Sequence, residues 1–316
     1  MTRLLFSPDL VEEAVLLAEG TLMHDRAAFR RGRDRIYQLS DEGEREKSFR
    51  ALHSRYFGAL GLDTAVKETL AEHPEVTSGI DSCHVVRALT RKDEAADLVD
   101  ELHARHGGGS APALMIRLRP STIVEPVHAL RTFLHHELTH VADMLNPAFG
   151  YERRLPPSDD GPSADTMRQD RYRVLWDTTI DGRLTRSGRA GAGTRESRWQ
   201  EFATTFGMLG DQCPTAFERW FNEANPTHAE ILAFAVSPSG ERGRSHQGRC
   251  PLCRFPTTSL DARVTTLSDA VVEAIQADRP EWHRKHGICP QCLDLYEARD
   301  LDARERRATA TDQASA

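Results

Sequence analysis

The chain has 316 residues, of which 39 % are hydrophobic and 28 % charged, and its formal net charge at pH 7 is −7. This composition is typical of a globular protein with a buried core, and the acidic balance gives no general attraction to nucleic acid or anionic lipid. The sequence contains no apolar run of the roughly 18 residues that a membrane-spanning helix needs, so we expect no membrane partner. Residues 1–10 lack the apolar core of a signal peptide, which predicts a cytoplasmic protein.

The first part of the chain, residues 1–110, is predicted to be mainly helical. Residues 8–19 have the start and stop signals of a helix, and apolar residues recur at three- and four-residue spacings over residues 26–73. A strand is predicted over Cys83–Leu89 and an amphipathic helix over Lys92–His106. We expect this part to be the helical N-terminal portion of a larger catalytic domain.

The next part, residues 111–235, is predicted to be the core of that domain. Apolar residues alternate over Ala113–Val124, which indicates a half-buried strand, and a helix follows from Pro126 to about Leu145. Further helices are predicted over residues 170–184 and 196–209. The fold class that follows is α+β, a mostly helical domain with a small mixed sheet.

A His-Glu-x-x-His motif lies in the middle of the helix that starts at Pro126. Its histidines, His136 and His140, are one turn apart on the same face, so both imidazoles can bind one ion. Glu137 can take a proton from a metal-bound water, whose pKa zinc lowers towards about 7. The water then attacks a carbonyl group, and Glu137 passes the proton to the leaving nitrogen. The pattern therefore predicts zinc-dependent hydrolysis of a peptide or amide bond.

The pentapeptide His-Glu-Leu-Thr-His at 136–140 resembles the active-site helix of the zincin metallopeptidases and is similar to the thermolysin type. The resemblance covers residues 112–210. It implies a catalytic zinc ion, the two histidines as its ligands, the glutamate as catalytic base, and a third ligand further along the chain. The extended metzincin motif would need Gly at 143 and His or Asp at 146, where this chain has Asp143 and Asn146. We expect Asp143 to orient a ligand histidine from outside the metal shell.

Three acids are candidates for the third ligand that a catalytic zinc site needs. Asp177 and Asp181 lie one turn apart on the next predicted helix. They are similar to the Glu-x-x-x-Asp pair of thermolysin-like enzymes, whose first acid binds metal and whose second supports a ligand histidine. A Trp-Asn-x-Ala-x-Asp motif of other zinc-peptidase-like families instead indicates Asp181, which we expect to be the ligand, with Asp177 as an alternative. The other alternative, Glu201, resembles the lethal-factor-like Glu-x-Phe-Ala-Glu helix, although aligning its Phe-Ala pair puts Gln200 at the ligand position.

Two Cys-x-x-Cys pairs lie in residues 250–295, beyond a predicted linker at 236–249. Four thiolates around one ion form a closed tetrahedral site with no open position, which is typical of structural zinc. Because no export signal is expected, the spacing favours metal over disulfides. The module resembles a zinc ribbon with the ligands Cys250, Cys253, Cys289 and Cys292. Residues 296–316 are charged and then rich in Ala, Thr and Ser, so we expect a flexible tail.

The expected function is that of a zinc-dependent metallopeptidase with a peptide or protein substrate, one catalytic zinc ion and one structural zinc ion. The ribbon adds a possible protein or nucleic-acid partner, because arginines near its first cysteine pair indicate a phosphate-bearing ligand. One alternative is a non-catalytic zinc-ribbon binding protein on a zincin scaffold. Another is a protease acting near nucleic acid, since a zincin helix with a C-terminal ribbon resembles the SprT-like proteins. Their third ligand is a histidine, and the next histidine here is His228.

Overall fold

The computed structural model describes residues 2–20, 26–99, 112–157, 162–238, 248–257, 260 and 262–299. The chain divides into two compact units, Met1–Pro157 with Asp165–Pro238, and Ser158–Ala164 with Ser239–Ala316. The described part is mainly helical and has a small mixed sheet, so the α+β prediction is confirmed. Among the described helices, none combines the length and apolarity that a membrane crossing requires.

One boundary between the units along the chain, at Pro238–Ser239, falls inside the predicted linker, 236–249, of which residues 239–247 lie outside the described residues. The predicted tail also lies largely outside them, from residue 300 onwards. Residues on both sides of position 110 belong to the first unit. The predicted N-terminal portion and catalytic core therefore form one unit.

Four strands form the sheet of the first unit: β1 (Arg3–Phe6), β2 (Ser82–Arg87), β3 (Ala95–Val99) and β4 (Ala113–Leu118). Their order is β1-β2-β4-β3, and β3 is an edge strand that runs antiparallel to β4 while the other pairs are parallel. The predicted helix over Lys92–His106 is wrong at β3, because pairing with β4 outweighs the local helical pattern. Residues 100–106 of that prediction lie outside the described residues.

Seven helices of the first unit are α1 (Pro8–Glu19), α2 (Arg26–Tyr37), α3 (Glu42–Ala59), α4 (Thr64–Ala71), α5 (Pro74–Gly79), α6 (Pro120–Ile123) and α7 (Val127–Leu145). They and the sheet share one hydrophobic core, in which Leu10, Val66 and Leu114 are buried. The predicted strand Ala113–Val124 ends early, since Pro120 opens α6. The helix α7 contributes Leu134 and Leu138 to this core.

A second core of the same unit lies among α8 (Pro162–Arg186), α9 (Thr194–Thr205), α10 (Cys213–Asn222) and α11 (His228–Val236). Its centre is aromatic and includes Phe202, Phe217 and Trp220. The helix α8 passes very close to α10. A Cβ atom added to Gly182 would lie 1.7 Å from the carbonyl oxygen of Phe221, so only glycine permits this approach.

The second unit has a hairpin of β5 (Gly248–Arg249) and β6 (Pro256–Thr257), a helix α12 (Asp269–Asp278) and a helix α13 over the described residues 290–299. Its small core contains Val271, Ile275, Trp282, Ile288 and Leu293, together with three of the four paired cysteines. The indole nitrogen of Trp282 donates to the carbonyl oxygen of Gly287 at 2.9 Å. The first cysteine pair lies between β5 and β6, and the second lies at the start of α13.

Candidate metal centres

The helix α7 has one face in the first core and another towards α8. Leu134, Leu138 and Val141 are buried in that core at i, i+4 and i+7, the spacing that places residues on one face of a helix. His136 and His140 occupy the other face, with ring centroids 5.0 Å apart. The hydrophobic pattern of α7 thus fixes the direction in which both imidazoles point.

Three side chains bring donor atoms together at this face. Nε2 of His140 lies 3.0 Å from Oδ1 of Asp177, and Nε2 of His136 lies 3.6 Å from the same oxygen. The potential ligand atoms of His136, His140 and Asp177 all lie within 4.8 Å of one another. Tetrahedral zinc with nitrogen and oxygen ligands at about 2.0–2.1 Å has ligand–ligand distances of about 3.3 Å. The group can therefore hold a metal ion.

Asp181, the acid expected to bind the metal, contacts Nδ1 of His136, the ring nitrogen that faces away from Asp177. Nδ1 of His136 donates to Oδ1 of Asp181 at 2.8 Å, because a carboxylate only accepts. This contact leaves Nε2 of the ring directed at Asp177. The structure thus brings the alternative, Asp177, into the donor group and places Asp181 where it orients a histidine. One helical turn separates the two acids, so each meets a different atom of the same ring.

Two arginines hold the oxygen of Asp177 that faces away from the histidines. Oδ2 of Asp177 accepts from Arg173 at 3.1 Å and from Arg198 at 3.3 Å. Arg198 also donates to Oδ2 of Asp181 at 2.7 Å. Glu201 accepts from both arginines, at 2.8 and 2.6 Å, and so supports them instead of joining the donor group. The sequence contained a signal for one of these arginines, since Arg173 precedes Asp177 by four positions.

The prediction that Asp143 orients a ligand histidine directly does not match its contacts. Its buried carboxylate accepts from both terminal nitrogens of Arg183, at 2.8 and 2.6 Å, and from the indole nitrogen of Trp176 at 2.7 Å. The indole in turn lies edge-on to the ring of His140, with centroids 4.4 Å apart. Asp143 therefore reaches the site only through Trp176.

The electrostatics of the donor group favour a cation. Burial alone would lower the pKa of His136, but hydrogen bonds and charges from Asp177 and Asp181 outweigh it and raise that pKa to about 10. Burial likewise opposes ionisation of Asp177, yet His136 and His140 hold its pKa well below the ordinary value. Two carboxylates thus stabilise positive charge at the position where a divalent ion would lie.

The glutamate of the motif contacts the sheet. Oε2 of Glu137 accepts a hydrogen bond from the backbone N–H of Ala96, in β3, at 2.9 Å. The carboxylate therefore lies against the edge strand β3. The sequence could not indicate this contact, because its donor is a main-chain group on a strand that was predicted as a helix.

The next histidine along the chain, His228, does not join the donor group. Its Nδ1 lies 2.7 Å from the hydroxyl oxygen of Tyr172, and its ring is buried beside Phe149 and Tyr151. The group that can hold a metal among the described residues of the first unit therefore consists of two histidines and one aspartate.

A second group of donors lies in the second unit. Cys250, Cys253, Cys289 and Cys292 have their sulfur atoms within 4.8 Å of one another, and all four are free thiols. Sγ of Cys253 lies 3.9 Å from Sγ of Cys289, and tetrahedral zinc with sulfur at about 2.3 Å requires about 3.8 Å. Burial opposes ionisation of Cys250, but backbone N–H groups outweigh it and lower its pKa to about 7. The four cysteines fit a zinc ribbon and can hold a structural ion.

No protein-family model, no curated protein and no solved structure matches this chain.

Proposed function

We propose that the chain is a zinc-dependent metallopeptidase. The observation that carries this proposal is the convergence of His136, His140 and Asp177 within 4.8 Å, on a helix where glutamate follows the first histidine. Two nitrogens and one carboxylate oxygen, with a fourth position left for water or substrate, are a typical ligand set of catalytic zinc. The Asp177–Asp181 contacts also agree with the roles of the Glu-x-x-x-Asp pair in thermolysin-like enzymes.

Each residue of the group has a separate task in the proposed reaction. Zinc, when bound, supplies a Lewis acid that polarises the substrate carbonyl group and makes water at the site more acidic. Glu137 takes a proton from the attacking water and delivers it to the leaving nitrogen. Asp181 holds the ring of His136 in place, while Arg173 and Arg198 fix the carboxylate of Asp177 and offset its charge.

The proposed substrate is a peptide bound in an extended conformation. β3 is an antiparallel edge strand, and its Ala96 lies in contact with Glu137. The outward-facing N–H groups of Ala96 and Leu98 already donate to Glu137 and Asp97. An extended peptide beside β3 would therefore place its scissile bond near the base without using these two N–H groups.

A glutamine substitution at the base tests the proposal. Glu137→Gln removes a base and keeps the metal ligands, so zinc content should stay at the wild-type level. Hydrolysis of fluorescein-labelled casein should fall by roughly 10²–10⁴-fold. The exposed Glu125 offers a control, since Glu125→Gln should retain full activity. Undiminished hydrolysis by Glu137→Gln would reject the mechanism.

The two alternative functions, a non-catalytic binding protein and a SprT-like protease, predict different contacts for the same residues. A non-catalytic binding protein would leave Asp177, Asp181 and Glu201 directed away from the motif histidines, but the first two acids contact those rings. A SprT-like site would need a third histidine, whereas His228 contacts Tyr172. These contacts support the peptidase proposal with an aspartate ligand.

A further inference from the structure

Two backbone N–H groups of β3 donate to side-chain carboxylates instead of to β4. The register pairs Ala96 with Ile116 and Leu98 with Leu114. The backbone N–H of Leu98 donates to Oδ1 of Asp97 at 2.8 Å, and that of Ala96 donates to Glu137. Because antiparallel strands alternate hydrogen-bonded and non-hydrogen-bonded pairs, Ala96 and Leu98 both direct their N–H groups away from β4.

The contact at Ala96 restrains a side chain that its own helix leaves free to rotate. The backbone of Glu137 is fixed because its neighbour Leu138 is fully buried. Its carboxylate is joined to the backbone of a different element, and only Oε2 takes part. Among the described residues, Oε1 has no hydrogen-bond donor. One oxygen is thus anchored, and the other is available to accept a proton.

We propose that Ala96 is a positioning residue whose backbone N–H holds Oε2 of Glu137, so that Oε1 acts as the base. The inference rests on the proposed peptidase function. The methyl group of Ala96 has no part in this positioning role. The role belongs to the backbone N–H group, whose place is set by β3. A carboxylate that must move before each proton transfer loses the advantage of a fixed geometry, and misplacement by about 1 Å can cost a hundredfold in rate.

A proline substitution at Ala96 removes this N–H group without disrupting the sheet. Since the N–H of Ala96 is not part of the β3–β4 ladder, Ala96→Pro removes no ladder hydrogen bond, and edge strands accept proline at such positions. Leu98→Pro is the matched control, because it removes the next N–H on the same edge. The control also loses apolar packing of Leu98 against the first core, so it perturbs the fold more than the test variant.

The expected result is a loss confined to kcat. With fluorogenic peptides cut by the wild type, Ala96→Pro should lower kcat by about tenfold or more at unchanged zinc content and nearly unchanged KM. Leu98→Pro should lower kcat by less than about threefold. A raised KM with constant kcat would assign the N–H to substrate binding and overturn the proposal, as would equal losses in both variants.

Amide hydrogen exchange tests the contact between Ala96 and Glu137 directly. This measurement depends neither on catalytic activity nor on the Ala96→Pro variant. In Glu137→Ala, the amide of Ala96 should exchange at least about tenfold faster than in the wild type, while that of Leu98 keeps its rate. Unchanged exchange at Ala96 would overturn the proposed contact. A zinc-loaded wild type that cuts no peptide rejects the peptidase function, whereas an active wild type with a fully active Ala96→Pro variant rejects only the positioning role.

Discussion

At the scale of single residues, the two oxygens of Asp177 have different environments. Oδ2 accepts from Arg173 and Arg198, and Oδ1 faces the nitrogens of His136 and His140. Hydrogen bonds between ionised groups are short and directional, so two guanidinium groups on one oxygen fix the rotation of the carboxylate. The arginines therefore determine that Oδ1 is the oxygen available to an ion.

Substituting each acid of the site should weaken zinc binding to a different extent. Asp177→Ala deletes a donor and should weaken zinc binding at this site by more than about a hundredfold. Asp181→Ala deletes the partner of a ligand ring and should cost about 10–100-fold. Glu201→Ala, the control, removes only a support of the arginines and should cost less. Competition with a chromogenic chelator measures all three. A larger loss from Asp181→Ala would restore the ligand that the sequence favoured.

The residues that could be predicted are those whose spacing is local. His136 and His140 follow from one helical turn, and Glu137 from its adjacency. The choice between Asp177 and Asp181 could not be made, because both acids share a face of α8 and both reach the ring of His136. The position of α8 along α7 decides which acid meets both histidines, and packing in two cores sets that position.

At the scale of elements, the acids of α8 lie next to a close packing contact of the same helix with α10. Gly182 directly follows Asp181 and lies against the backbone of Phe221 in α10. The arginine one turn further on, Arg186, donates to the same carbonyl oxygen at 2.7 Å. The contact with α10 thus limits how far α8 can shift along its axis, and with it the carboxylate of Asp177.

Gly182→Ala should destabilise the protein even though alanine favours helices. A new Cβ atom at 1.7 Å from the Phe221 oxygen forces the two helices apart, at a cost of about 3 kcal/mol or more. The control is Gly207→Ala, where an added Cβ atom meets nothing within 4 Å and stability should change by less than about 1 kcal/mol. Urea denaturation followed by tryptophan fluorescence compares them. Equal midpoints would contradict the close approach of α8 and α10.

The elements that the sequence missed depend on distant partners. Ala95–Val99 has no strand signal strong enough to override the surrounding helical pattern, and it becomes β3 only because β4 offers an edge. The contact of β3 with Glu137 could not be predicted either, because it depends on the same pairing with β4. The helix α7, by contrast, has a regular apolar stripe over three turns and was predicted with nearly its observed bounds.

At the scale of the whole molecule, the two candidate centres belong to different compact units. One boundary between those units, at Pro238–Ser239, falls inside the segment rich in Gly, Ser and Arg that the sequence predicts as a linker. Residues 1–110 and 111–235 were predicted as two parts of one domain, and β2 and β3 on one side of position 110 form one sheet with β4 on the other. A sheet that joins distant segments cannot be recognised from local composition.

The separate centres should bind about two zinc ions per chain, and elemental analysis of protein purified without chelator counts them. His136→Ala should retain about one ion, and the double variant Cys250→Ser/Cys253→Ser should also retain about one. Cys213→Ser, a control at a buried cysteine outside both groups, should retain both. Loss of both ions from either variant would show that the centres are not independent.

The carboxylates around His136 have a consequence for the thermodynamics of metal loading. With a pKa of about 10, the metal-free imidazole is protonated at pH 7, and an ion can take its place only when that proton leaves. Zinc uptake at this centre should therefore release about one proton, and the apparent affinity should rise about tenfold per pH unit until the pH approaches that pKa. Calorimetric titrations in buffers of different ionisation enthalpy measure the release from the slope of observed heat against that enthalpy. A slope of zero would mean that the ring is already neutral, so that zinc and hydrogen ions do not compete for it.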